Sequence, residues 1–267
     1  MKKQFSKAIR PIIISLLVCF LLAGCGPGKS AEDIEIIGSG LSSNEAGDYT
    51  YAVVFENHSD KVIKMAIFDV DAYDENGKKL KPLDQWYEIV RTDNVRPGER
   101  AACTVMMKQK EQDENGDGTM AFNGVPADFQ FELSSDTSFK EPDANDVDLK
   151  LVDYERVGDD VFPHLFDYYD GDFIAFKVRI ANNGEEDFIY DPRSEEMDTF
   201  LCCHVVYKDE DGKVIGGAGT LHFTNAPDEG DAPLLIKAGE ETECYFTGPY
   251  CYWPSAGQEL YLEAIRQ

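Results

Sequence analysis

Apolar residues recur at every second position along most of this chain, the spacing of strands with one buried face, and no stretch holds the period of an amphipathic helix. Tyr51, Val53 and Phe55 share one face of a predicted strand, with Ala52, Val54 and Glu56 opposite. Ala66, Phe68, Val70 and Ala72 form one face of a longer strand, with Asp69, Asp71 and Tyr73 on its wet side. Cys103, Val105 and Met107 alternate later, and Phe129, Phe131 and Leu133 close the region. Turn signals separate these runs: Asn57-His58-Ser59-Asp60, Asp74-Glu75-Asn76-Gly77 and Arg96-Pro97-Gly98-Glu99. The Asn76-Gly77 pair predicts a type I′ hairpin turn.

The same plan returns further on. Ile174, Phe176, Val178 and Ile180 alternate, Asn182-Asn183-Gly184 turns the chain, and Leu201 to Tyr207 forms the next strand. Asp209-Glu210-Asp211-Gly212-Lys213 echoes Asp74 to Lys78, and Lys237-Ala238-Gly239-Glu240 echoes Arg96 to Glu99. Five residues beyond Gly98 and Gly239 comes a cysteine, Cys103 and Cys244, and Leu260, Leu262 and Ala264 end the chain. The expectation is an internal duplication: a first domain over 34–139, a linker over 140–146 around Glu141-Pro142-Asp143, and a second domain over 147–267. Short strands between turn signals, without helices, predict an all-β protein of two tandem antiparallel β-sandwiches.

The N-terminus follows a different rule. Met1 to Arg10 is basic, Ile12 to Ala23 is apolar but for Ser15, and small residues precede Cys25. Twelve such residues are too few to span a bilayer of about 30 Å as a helix, and the order is that of a secretory signal. Leu22-Ala23-Gly24-Cys25 resembles the lipobox of bacterial lipoproteins. That resemblance implies a signal peptide over 1–24, diacylglyceryl modification of Cys25, a tether over 25–33, and a chain held outside the cytoplasm by a lipid anchor. A non-lipidated signal peptide and an uncleaved anchor are the alternatives.

The strand and turn order resembles the small immunoglobulin-like domains of bacterial surface lipoproteins, nearest to the family named after a Phe-x-Leu-Tyr-Asp run. Here the run reads Val70-Asp71-Ala72-Tyr73-Asp74, and the second copy keeps only Tyr207 and the acidic turn. The resemblance implies immunoglobulin-like sandwiches on a cell surface and carries no catalytic residue.

Charge narrows the partners. The formal net charge is −26, and loss of the leader removes four basic residues and no acidic one, leaving −30. Such a surface repels nucleic acid and favours a solvated shell, cations or a basic partner. Asp113, Asn115 and Asp117, followed by Gly118, match the first half of a calcium loop, but its twelfth position is Gly124, where a bidentate carboxylate belongs. The stretch reads either as an acidic hairpin tip or as a weak extracellular calcium site; no other cofactor is expected. Tyr250, Tyr252 and Trp253, between Pro249 and Pro254, are candidate anchors for a protein, peptide or glycan, or caps on the open end of a sandwich. Phe162, His164, Phe166, Tyr168 and Tyr169 form a second aromatic cluster.

Of seven cysteines, Cys19 leaves with the leader and Cys25 takes the lipid. Cys103 is expected as a small core residue. Cys202 and Cys203 point to opposite faces of one strand, so a Cys203–Cys244 bridge across the sheets and reduced buried thiols both fit. Cys202-Cys203-His204 lacks the C-x-x-C spacing of a zinc site. No nucleophile elbow, phosphate loop or metalloprotease motif is present. The expectation is a non-enzymatic, lipid-anchored recognition protein, with an envelope spacer as the competing class and an extracellular hydrolase using a carboxylate pair or a Cys–His contact as the third.

Overall fold

The structure is a computed structural model, and it describes residues 33–43, 49–82, 89–107, 111–112, 118–119, 122–158, 161–162, 173–194, 198–224, 232–249 and 255–266. It is all-β: among the described residues there is no helix, hence none long and apolar enough to cross a membrane.

In the first half, β1 (Ile34–Ser43), β2 (Tyr49–Asn57) and β5 (Arg100–Met107) pair as one antiparallel sheet in the order β1-β2-β5. Facing it, β3 (Val62–Tyr73) pairs with β4 (Ile89–Val95) on one side and with β8 (Asp128–Leu133) and β9 (Ser138–Lys140) on the other. Between the layers lie Tyr51, Val53, Phe55, Ala66, Phe68, Val70, Ala72 and Cys103, the faces that the alternation predicts. Two short strands, β6 (Glu111–Gln112) and β7 (Gly118–Thr119), pair with each other.

The second half uses the same registers. β10 (Leu149–Val157), β11 (Phe173–Asn182) and β16 (Glu241–Pro249) correspond to β1, β2 and β5; β13 (Thr199–Lys208), β14 (Val214–Thr224) and β17 (Gly257–Arg266) correspond to β3, β4 and β8. Val53 lies opposite Cys103, and Val178 opposite Cys244. The bulge at Ile37 in β1 recurs at Val152 in β10, and both bulged side chains are exposed, at 44% and 43%. The layers differ in one respect. The end of β14 pairs with β16 over His222–Thr224, so all six strands form one continuous sheet in the order β10-β11-β16-β14-β13-β17, where β4 stays in its own layer. β12 (Phe188–Tyr190) and β15 (Leu234–Ile236) add a two-stranded ribbon. Strands β4, β10 and β14 carry no clear alternation, and the pattern alone does not reveal them.

A buried asparagine anchors each half. Asn57 Nδ2 donates to the carbonyls of Lys61 (2.8 Å) and Val95 (2.9 Å), and its backbone carbonyl accepts from Gly98 N–H at 2.7 Å. Asn182 Nδ2 donates to Glu186 and Ile236 at 2.9 Å each, and its carbonyl accepts from Gly239 N–H at 2.8 Å. Gly98 and Gly239 adopt φ of 75° and 72°. The acidic turns also match, and they correct the type I′ expectation. Only Gly77 has positive φ; Asp74 accepts Gly77 N–H through its carbonyl and the Asn76 and Lys78 N–H groups through Oδ1. Asp209 does the same for Gly212, Asp211 and Lys213. The Asp carboxylate stabilises a type I turn followed by a left-handed glycine, so Asn76 keeps negative φ.

The two halves are welded together. The outward face of β2 and β5, Ala52, Val54 and Ala102, packs on Val206, Val214 and Tyr261 of the second half. Each fully buried valine there contributes about 1.5–3 kcal/mol. The halves approach so closely that a Cβ on Gly40 would meet the Val214 carbonyl, and one on Gly217 the Thr104 side chain. Thr50 Oγ1 hydrogen-bonds to both the carbonyl and the N–H of Gly217. Asn94, at φ 55°, donates to Ala264 O at 2.9 Å and Val147 O at 3.3 Å. Arg96 pairs with Asp148 at 3.3 Å. Residues 141–148 carry no strand, yet Lys140 pairs with Asp146 and Val147 enters the second core.

Candidate functional site

The sequence-predicted site residues Cys25, Asp113, Asn115, Asp117, Tyr250, Tyr252 and Trp253 lie outside the described residues. The ends of the acidic stretch are described: Gln112 pairs with Gly118 and Glu111 with Thr119, an antiparallel ribbon on either side of 113–117. Of the second aromatic cluster, Phe162 is buried and packs edge-on against Tyr245, ring centroids 5.2 Å apart.

The notable chemistry gathers in the weld between the halves. Cys202 and His204 lie two apart on β13 and so share a face. Glu263 stands directly opposite Cys202 on β17. That face meets the first half, so all three side chains are buried. His204 Nε2 lies 2.9 Å from Glu263 Oε2, the Cys202 thiol donates to the same oxygen at 3.3 Å, and Cys202 Sγ lies 4.0 Å from Nε2. The first half contributes two contacts: Thr104 Oγ1 is 3.2 Å from His204 Nδ1, and the Asp93 N–H donates to Glu263 Oε1 at 2.8 Å.

Burial alone pushes the Glu263 carboxyl up, but the hydrogen bond and charge of His204, with the Asp93 N–H and the Cys202 thiol, bring it below its ordinary value. The Cys202 thiol is raised well above its ordinary value by burial and then by the Glu263 charge. Such a thiol is a poor nucleophile, since the thiolate is the reactive form. A Cys–His contact therefore exists, as a hydrolase reading requires, but in an environment that disfavours ionising the sulfur. The three atoms are suited instead to sharing protons or holding a cation.

Cys103, Cys203 and Cys244 are free buried thiols; the Cys203–Cys244 bridge is not formed. Cys103 and Cys203 each sit among apolar side chains of a core, and burial pushes the Cys244 thiol to about 12. The alternation puts Cys202 and Cys203 on opposite faces; Cys203 points into the core, and Cys202 is equally buried because the other half covers it. Local pattern does not mark Glu263 as a partner of His204, because the two are 59 positions apart in sequence. Its signal was a single carboxylate between Leu262 and Ala264.

The exposed large apolar residues cluster in part. Ile189 and Leu235 face each other across the β12–β15 ribbon, 55% and 44% exposed. Beside them a shallow groove of about 450 Å³ is lined by Tyr190, Pro192, Phe200 and His222, with Asp191 and Asp198 among its polar residues.

No protein-family model and no curated protein matches this chain.

Proposed function

We propose that this chain is a lipid-anchored, non-enzymatic protein of the cell surface, held outside the cytoplasm through Cys25, whose two immunoglobulin-like halves recognise an extracellular protein, peptide or envelope glycan. The lipobox-like Leu22-Ala23-Gly24-Cys25 and the run Val70 to Asp74 support the anchor and the family likeness. The matched asparagine anchors, bulges and acidic turns support descent of both halves from one immunoglobulin-like unit. Recognition rests above all on the Ile189–Leu235 pair beside its groove, because exposed apolar surface rimmed by polar groups is typical of contact sites. The buried, hard-to-ionise Cys202 thiol supports the non-enzymatic reading.

The test has two arms. Full-length chain is expected in the membrane fraction and the Cys25→Ser variant in the soluble fraction; an unchanged distribution rules out the anchor. Residues 29–267, immobilised in the presence of calcium, are challenged with envelope extract against two controls, Ile189→Asp with Leu235→Asp, and Tyr252→Ala with Trp253→Ala. A partner retained by the parent and lost by either control establishes recognition and locates it. Retention of nothing leaves the second reading, a rigid envelope spacer, which the weld between the halves favours.

A further inference from the structure

We infer that Cys202, His204 and Glu263 form a zinc site buried in the weld between the two halves of the chain, independently of what the surface recognises. The donor set is sulfur, imidazole nitrogen and carboxylate oxygen, the mixture zinc takes. With zinc bonds of about 2.3 Å to sulfur and about 2.0–2.1 Å to nitrogen and oxygen, tetrahedral ligand atoms stand about 3.6 Å (S to N or O) and about 3.4 Å (N to O) apart. Here the separations are 4.0 Å for Sγ–Nε2, 3.3 Å for Sγ–Oε2 and 2.9 Å for Nε2–Oε2, and all three atoms fall within 4.8 Å of one another. Shifts of about half an ångström or less, within reach of side-chain torsions, convert one geometry into the other.

The surroundings resemble the outer ring of a metal site. A zinc-bound histidine usually gives its other ring N–H to a fixed acceptor; Thr104 Oγ1 stands 3.2 Å from Nδ1. A ligating carboxylate is usually held through its second oxygen; Asp93 N–H holds Glu263 Oε1 at 2.8 Å. Both holders belong to the first half and all three ligands to the second. Metal bound by one half is therefore oriented by the other. On binding, Sγ and Nε2 each give up a proton to solvent, Nε2 presents the freed lone pair to the zinc while Nδ1–H donates to Thr104, and a water takes the fourth position. The bonds replaced are the Cys202 and His204 hydrogen bonds to Oε2.

The experiment uses the full chain, purified from membranes in detergent with a phosphine reductant, stripped with chelator and titrated with zinc or cobalt(II). The expected result is one metal per chain, with cobalt giving the intense near-ultraviolet band of a thiolate ligand. Cys202→Ser abolishes that band, Cys103→Ser preserves it, and Thr104→Val weakens zinc binding by about 10–100-fold. A folded chain that takes up no metal overturns the proposal, as does a band that survives in Cys202→Ser. X-ray absorption of the zinc-loaded wild type needs no variant: one sulfur among nitrogen and oxygen neighbours is expected, and a shell of oxygen alone, as the acidic 113–117 stretch would supply, overturns it.

Discussion

Matching positions of the two halves face opposite fates. The outward side of β2 carries Thr50, Ala52 and Val54, with Ala102 and Thr104 beside them on β5, all buried against the second half. The corresponding positions are Lys177 and Arg179 on β11 with Glu243 on β16, while Ala175 and Tyr245 at the end of that face pack with Phe162. There Lys177 pairs with Glu243 at 2.9 Å, while Arg179 lies 3.5 Å from Glu241 and 3.7 Å from Asp153. The other layer reverses the pattern. Cys202, His204 and Val206 of β13 are buried, while the equivalent stretch of β3 carries the exposed Asp69 and the half-buried Asp71, the latter paired with Lys79 at 2.6 Å. One layer of the first half thus docks on the other layer of the second. This is a head-to-tail contact between like units, the kind that would propagate into a filament if both ends stayed apolar. Charge on the two free faces works against further docking of this kind, as polar caps do in repeat proteins.

Breaking the contact directly should have the largest effect. Val54→Asp places an unpaired carboxylate in the weld and is expected to cost about 3–5 kcal/mol, splitting urea denaturation into two transitions. Arg179→Asp, at the matching position of β11, should cost under about 1 kcal/mol and leave one transition. A single transition for both variants would mean that the cores, not the weld, set cooperativity.

The asparagine anchors test the likeness rather than the difference. Asn57→Ala and Asn182→Ala each remove two side-chain hydrogen bonds and strand one buried carbonyl, Val95 or Ile236, and each is expected to cost about 2–4 kcal/mol in thermal denaturation. Unequal losses would show that the half with a continuous sheet tolerates the damage better. Smaller again are Gly77→Ala and Gly212→Ala, about 1 kcal/mol each, because both put a Cβ at positive φ with no neighbour within 4 Å to clash.

The smallest effect separates the two Pro/Ala-Gly-Glu turns. Burial raises the Glu99 carboxyl above its ordinary value of 4.5, although the Arg96 N–H and charge oppose this. A raised folded-state value means that the folded chain binds the proton more tightly. Its contribution is complete below pH 4.5 and is lost as pH rises through the folded value. Glu99→Gln should therefore remove a component of stability that grows on acidification through this window. Parallel pH profiles for wild type and variant would contradict it.

Much of this molecule was legible in local pattern. Period-two alternation groups Tyr51, Phe68 and Ile174 with the apolar faces that become cores because side chains on a strand alternate strictly between faces, whatever lies beyond. The Asn-to-Pro-Gly-Glu spacing marks the two copies because each anchor closes hydrogen bonds between segments of its own half. The turn at Asn76-Gly77 was located correctly but mistyped, since the Asp74 carboxylate, not the Asn-Gly pair, selects its geometry. The burial of Ala52, Val54 and Cys202 on their second faces was not legible: alternation says which residues share a face, not what covers it. Nor was the Cys202–His204–Glu263 group. Two of its members are neighbours on one strand, but the third arrives through β13–β17 pairing, and Thr104 and Asp93 through the docking of a whole half. Local chemistry chose the strands and turns; long-range packing decided which polar groups lost their water and so which of them had to find one another.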